Sequence, residues 1–157
     1  MGQILDTAIS FFQQDEWTFT QLEDQPILRL GFQGESGQWT CYAQAREEQA
    51  QFLFYSLCPV KASEDRRMAV AEFLTRANYG MFIGNFELDF SDGEIRYKTS
   101  IDVEGSQLTP ALVRPLVYAG VLMMDRYLPG IMSVIYGGVS PAEAVAKAEE
   151  TAGQAAG

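Results

Sequence analysis

Apolar and polar positions recur along this chain with two different periods, and each change of period marks the border of an element. Over 3–14, Leu5, Ala8, Ile9 and Phe12 stand at helical spacing with Asp6, Gln13 and Gln14 off that face, which predicts a short amphipathic helix. The segments 17–22, 27–33, 38–45 and 51–60 then read as strands. They are separated by Asp24-Gln25-Pro26, Gly34-Glu35-Ser36-Gly37 and Arg46-Glu47-Glu48-Gln49. In the fourth, the run 52–57 is apolar at both alternate positions, the pattern of a central strand covered on both faces.

Val70, Phe73, Leu74, Ala77 and Met81 return to helical spacing, with Ser63 as N-cap, Glu64 and Asp65 in the first turn and Gly80 as the left-handed stop. Glu72 and Arg76 form an i,i+4 pair in the favourable order. In the hairpin that follows, Asp92-Gly93 fits a two-residue type I′ turn. That register sets Asp89 opposite Arg96 and Glu87 opposite Lys98, with Phe90 facing Ile95, Leu88 facing Tyr97 and Phe86 facing Thr99.

Thr109-Pro110 starts a helix over 110–128, bent at Pro115, whose centre 116–124 is apolar all round. Such a helix needs a cover on the side turned away from the sheet, either the next helical segment or a second subunit. Pro129-Gly130 breaks or kinks the chain before 131–136, and Gly137-Gly138 stops it. Ser140-Pro141-Ala142-Glu143 is a capping box that opens a last helix over about 141–150, and 151–157 is expected to be a disordered tail.

The order predicts an α+β fold: an antiparallel sheet of about six strands in a 4+2 order, packed on one face by helices. One domain over 1–150 accommodates it. With 47% hydrophobic and 20% charged residues among 157, the chain is of ordinary globular composition. Cys41 and Cys58 lie in apolar, strand-like stretches and read as buried reduced thiols. A net charge of −10 argues against nucleic acid and anionic membranes and is compatible with basic or apolar partners. With no basic leader and no long uncharged run, the expected location is the cytoplasm.

Candidate chemistry is sparse. The absence of histidine removes Ser-His and Cys-His pairs, and two cysteines cannot complete a four-thiolate site. No phosphate-binding glycine loop is present, and neither a metal nor a cofactor is expected. Glu87, Asp89, Asp102 and Glu104 read as solvated, cross-strand charges before they read as an acid/base cluster. Asp89, Asp92 and Glu94 do not have the spacing of a calcium loop. The Met123-Met124 pair reads as core filler or as part of a client groove. Asp125-Arg126-Tyr127 is either a buried or interface ion-pair site or an exposed last helical turn. Met123, Met124, Asp125, Arg126 and Tyr127 are therefore the candidate partner-binding residues.

From Phe73 onward the chain resembles the YbjN family of bacterial sensory transduction regulators. The resemblance is carried by AEFLTRANYGMFIGNFELDFSDGEIRYKTSIDVEG, LVYAGVLMMDRYLPGIMSVIYG and SPAEAV. That family is similar in fold to class I type III secretion chaperones, which implies a homodimer and a protein client and carries over no catalytic residue. The expected function is a non-catalytic protein-binding module, chaperone-like or a regulatory adaptor. The alternative is a small-molecule-sensing regulatory domain with a pocket between sheet and long helix. An enzyme acting through carboxylates or Cys58 is the remaining reading.

Overall fold

The computed structural model describes residues 2–156, with side chains described as far as Glu150. Helix α1 (Gln3–Gln14) precedes strands β1 (Phe19–Gln21), β2 (Ile27–Gln33), β3 (Gln38–Arg46) and β4 (Gln51–Leu57). A short 3-10 turn leads into α2 (Arg67–Asn78), followed by β5 (Asn85–Leu88), β6 (Ile95–Asp102), α3 (Pro110–Tyr136) and α4 (Pro141–Ala156). The six strands form one sheet in the order β1-β2-β3-β4-β6-β5, and every pairing is antiparallel. The long crossover through α2 carries β5 to the edge, so that β6 folds back between it and β4. This is the expected α+β layout.

One face of the sheet is core and the other is bare. Phe52, Phe54 and Ser56 of β4 are buried, whereas Leu53, Tyr55 and Leu57 are half-exposed. The expectation of cover on both faces of 52–57 is therefore corrected. The helices pack on the Phe54 side, and the outer side chains lie among Tyr42, Lys98 and Arg96 instead. Aromatic side chains fill the inner layer, with Phe12 stacked on Phe54 and edge-on to Trp17.

Helix α3 crosses β4 and β6 at close range. Thr99 donates its hydroxyl to the Leu116 carbonyl at 2.9 Å, and Ser56 donates to the Gly120 carbonyl at 3.0 Å, one turn further on. A Cβ on Gly120 would sit 2.7 Å from the buried Phe54 ring, so this position tolerates no side chain without displacement. The expected break at Pro129-Gly130 does not occur. Pro129 lacks the N–H that would bond the Asp125 carbonyl, but the Ser36 hydroxyl donates to that carbonyl at 2.6 Å. With its orphaned acceptor satisfied from the sheet, the helix continues to Tyr136. Pro115 falls opposite Ala111 in the exposed first turn, where a missing bond costs little.

Several local readings shift. Strand β1 is shorter than 17–22, because Trp17 turns into the aromatic cluster. Ser63 makes no side-chain cap, and the positive φ after α2 belongs to Gly84, not Gly80. Thr109 does cap α3, accepting from the Leu112 amide at 3.2 Å. Helix α4 continues past 150 to Ala156, and the expectation of a disordered tail falls on residues 151–157, whose side chains lie outside the described ones.

The β5–β6 hairpin keeps its faces but changes its register. Glu87 pairs with Arg96, Phe86 with Tyr97 and Leu88 with Ile95, and residues 89–94 form a longer loop. The alternation is preserved because the slip is an even one. Asp89 instead accepts from the Ser91 amide and hydroxyl, while Phe90, expected to face Ile95, is 53% exposed. The loop wins because Gly93 donates to the Asp89 carbonyl at 2.7 Å and accepts from the Ala62 amide at 2.9 Å.

Two substitutions test this frame. At Gly93, φ is +83° and a Cβ would lie 2.0 Å from the Ala62 carbonyl oxygen. Gly93→Val is expected to lower stability in urea titration by at least about 2 kcal/mol, from backbone strain plus overpacking. Gly120→Ala gains helix propensity of about 1 kcal/mol. The contact with Phe54 outweighs that gain, so a lower denaturation midpoint is expected, and a higher one would show that α3 is not held this closely.

Candidate functional site

The polar break in α3 is where the helix meets everything else. Asp125 reaches down to the β2–β3 turn, accepting from the Glu35 amide at 3.0 Å and the Ser36 amide at 2.7 Å, while the single Ser36 hydroxyl proton is shared between its carboxylate and its backbone carbonyl, each at 2.6 Å. Gly34 leaves room for it, since a Cβ there would stand 2.6 Å from Asp125 Oδ1. Burial alone would push this carboxyl's pKa upward, but the Ser36 hydroxyl and the two amides outweigh it and hold it below 3.8. Asp125 is thus a clasp on the sheet, bonded to a turn and to no cation among the described residues, and it lies well before the last turn of α3.

Met124 is fully buried in the core. Tyr127 is buried edge-on against Phe73 and Phe86, and its hydroxyl donates to Glu149 of α4 at 3.1 Å. Burial, with smaller opposing effects of Arg126 and Glu149, pushes the Tyr127 phenol up to about 12. Of the three part-exposed candidates, Asp125 is committed to the turn, and Met123 and Arg126 line cavities. Met123 lines a cavity of about 340 Å³, with Ala119, Phe82 and Ile83 around it. Arg126 lines both this cavity and a second one of about 490 Å³ between α3 and α4. Its guanidinium lies 5.1 Å from the Tyr127 ring centroid, and its buried Nε has no hydrogen-bond partner among the described residues.

The 79–84 loop that closes the first cavity is not evident from periodicity. Its Phe82 is 102% exposed and its Tyr79 is 95% exposed, with Ile83 partly so. The loop is nonetheless pinned. Asn78 bonds the Phe86 amide and carbonyl at 2.7 and 3.0 Å, and the Tyr97 hydroxyl donates to the Ile83 carbonyl. Gly80 and Gly84 bracket Met81, Phe82 and Ile83; Met81, expected on the helical stripe, lies beyond the end of α2 at Asn78, and Phe82 and Ile83, apolar between two glycines and outside both periods, were the available signal.

The remaining candidates for chemistry are committed elsewhere. Glu87 accepts from Arg96 at 2.7 Å and Lys98 at 3.0 Å; burial raises its pKa, but the two cations lower it further. The Asp89 and Asp102 carboxyls are held low chiefly by the Ser91 hydroxyl and the Glu104 amide respectively. Asp92 accepts from the Glu94 amide and faces Lys61 at 3.6 Å. Both thiols are free and buried, and burial pushes Cys41 up to about 12 and Cys58 up to about 11, away from thiolate chemistry. Among the described residues no group of three or more Cys, Asp or Glu is placed to hold a metal ion. No helix among them is long and apolar enough to cross a membrane.

The sequence profile of the YbjN family, described as "Putative bacterial sensory transduction regulator", matches residues 6–132. The chain belongs to the YbjN family. The match takes in most of α1 and all six strands, well beyond the half that carries the visible sequence resemblance. The crystal structure of YbjN from E. coli, described there as a putative transcription regulator, superposes with a TM-score of 0.59 at 15% identity. The match covers 83% of this chain and 87% of that one. At that identity the likeness establishes a shared YbjN fold. No curated protein sequence matches this chain.

The Asp125 clasp makes a pH prediction. Its folded-state pKa is depressed, so the stability it contributes is present above the ordinary carboxylate value of 3.8 and is lost as pH falls below it. Asp125→Ala is expected to cost about 1–3 kcal/mol at pH 7 by urea denaturation. Below pH 4 the gap between variant and parent is expected to narrow. A gap constant down to pH 2 would mean that the carboxylate is not the group holding the turn.

Proposed function

We propose that this chain is a cytoplasmic, non-catalytic regulatory adaptor of chaperone-like type that binds a protein partner, and that it works as a homodimer. The observation that carries this reading is the apolar surface beside Met123 and Arg126, where a pinned loop holds Phe82 and Tyr79 in solvent. Leu122, 51% exposed on the outer side of α3, extends it. Large exposed apolar side chains grouped on a fixed frame mark interaction surfaces, because isolated solvation of them has no structural use. The family's description as a regulator agrees with such a role.

A second reading has its own support. A cavity of about 490 Å³ lies between α3 and α4, not between the sheet and the long helix as expected; it has the size of small-molecule sites, and Arg126, Ser133, Glu143 and Lys147 give it a few polar groups. A ligand there would draw α4 toward α3 and alter the adjoining surface. Thermal shift against a metabolite panel tests it, since a ligand at 100 times its dissociation constant adds about 2.7 kcal/mol.

The adaptor reading is tested with Phe82→Asp and Leu122→Asp. Both side chains are exposed, so both variants are expected to melt within a few degrees of the parent. Both are expected to lose the stoichiometric protein partner that tagged parent retrieves from its native cytosol, and light scattering reports whether the dimer is lost with it. Retention of the same partner by both variants would overturn this surface as the docking site.

A further inference from the structure

We propose that the bare face of the sheet docks an acidic, extended peptide segment of a protein partner. This surface is separate from the apolar loop and α3 groove, and the inference does not depend on what binds there. Arg29, Tyr42, Tyr55 and Lys98 are direct partners across β2, β3, β4 and β6, forming a row of cation, aromatic, aromatic, cation. No helix lies over them, because the helices occupy the face of Phe54, Ser56 and Thr99.

The charge of this face runs against that of the molecule. The chain has 11 basic and 21 acidic residues, for a net charge of −10. The strand positions that point outward nevertheless carry Arg29, Arg46, Arg96 and Lys98 against Glu87 and Asp102 alone. Glu87 bonds both Arg96 and Lys98, and Asp89 just past the end of β5 also acts on Arg96, so the unanswered cations of this face are Arg29 and Arg46. Arg46 is bonded to the neutral Gln51 side chain at 2.7 Å. Exposed Arg29 has no ion-pair partner among the described residues. The Arg96 guanidinium lies over the Tyr55 ring, 4.5 Å from its centroid, and restrains that ring from one side.

The spacing fixes the ligand. Three interstrand steps put Arg29 and Lys98 about 14 Å apart, which an extended peptide covers in about four residues at roughly 3.3 Å each. Two acidic side chains four positions apart would meet the two cations. The side chain midway between them, on the same side of the peptide, would rest on Tyr42 and Tyr55, and an apolar residue suits it. A nucleic acid fits less well, because its continuous phosphates would extend beyond the cationic row into the field of a −10 molecule.

The probe is the seven-residue peptide Gly-Asp-Ser-Phe-Ser-Asp-Gly, capped at both ends and titrated at low salt into the isotopically labelled protein. The expected result is chemical-shift changes centred on Arg29, Tyr42, Tyr55 and Lys98. Arg29→Glu is expected to weaken the affinity at least tenfold, as is raising the salt to 0.5 M. Arg76→Glu, which makes the same change of net charge on the helical layer, is expected to leave it unchanged. No shift at millimolar peptide, shifts centred elsewhere, or equal loss in both variants would overturn the proposal. Tighter binding of oligothymidylate at the same residues would overturn the peptide in favour of single-stranded nucleic acid. A dimer that Arg29→Glu dissociates would give the face to a second copy of the chain.

Discussion

Everything in this molecule depends on one long apolar helix lying flat across the middle of a sheet, and on the backbone bond that lets it do so. Pro129 should end α3, because it removes a donor from the Asp125 carbonyl. The Ser36 hydroxyl supplies that donor from the β2–β3 turn, and the Asp125 carboxylate takes up the turn's own amides in return. The exchange is reciprocal: a helix missing a donor meets a turn missing acceptors. Gly120 against Phe54 and the hydroxyls of Ser56 and Thr99 then set how deep the helix sits.

A continuous α3 determines where function can be. Its sheet-facing side is consumed by the core, down to the fully buried Met124. Its far side is shared between α2, α4 and open space, so cavities form where those neighbours do not meet, on either side of Arg126. Because all the helices are on one side, the opposite sheet face is left to its own side chains. Two surfaces of opposite character follow from one packing decision, an apolar one beside the helices and a cationic, aromatic one on the strands.

The elements that depend on local pattern were legible: α1 and β2 fall on 3–14 and 27–33, and Thr109-Pro110 starts α3. The association of Glu87 with Arg96 and Lys98 was legible too, since an even register slip exchanges neighbours on one face without changing the face. What failed was the continuity of α3, which turns on Ser36, a partner remote in sequence. The cap of α1 was equally invisible although its start was not: Glu47 accepts from the Ile4 and Leu5 amides at 3.1 and 2.9 Å. In sequence these were only a turn serine and a turn glutamate. The site was half legible: Met123 and Arg126 do line the cavities, but the 79–84 loop that completes the surface follows neither period.

The acidity of the chain illustrates the same limit at the level of charge. A net charge of −10 reads as a statement about partners, yet much of it is used internally. Glu47 caps a helix, Asp125 holds a turn, and Asp15 gathers Tyr118, Trp17 and Arg114 to join the end of α1 to α3. Each of these carboxylates is fixed by donors of the fold, so its charge is already answered before a partner arrives. What a partner meets is the remainder, and on the bare sheet face the remainder is positive. The sign of a binding surface follows from which charges the fold has left unanswered, and a sum over the sequence does not contain that information.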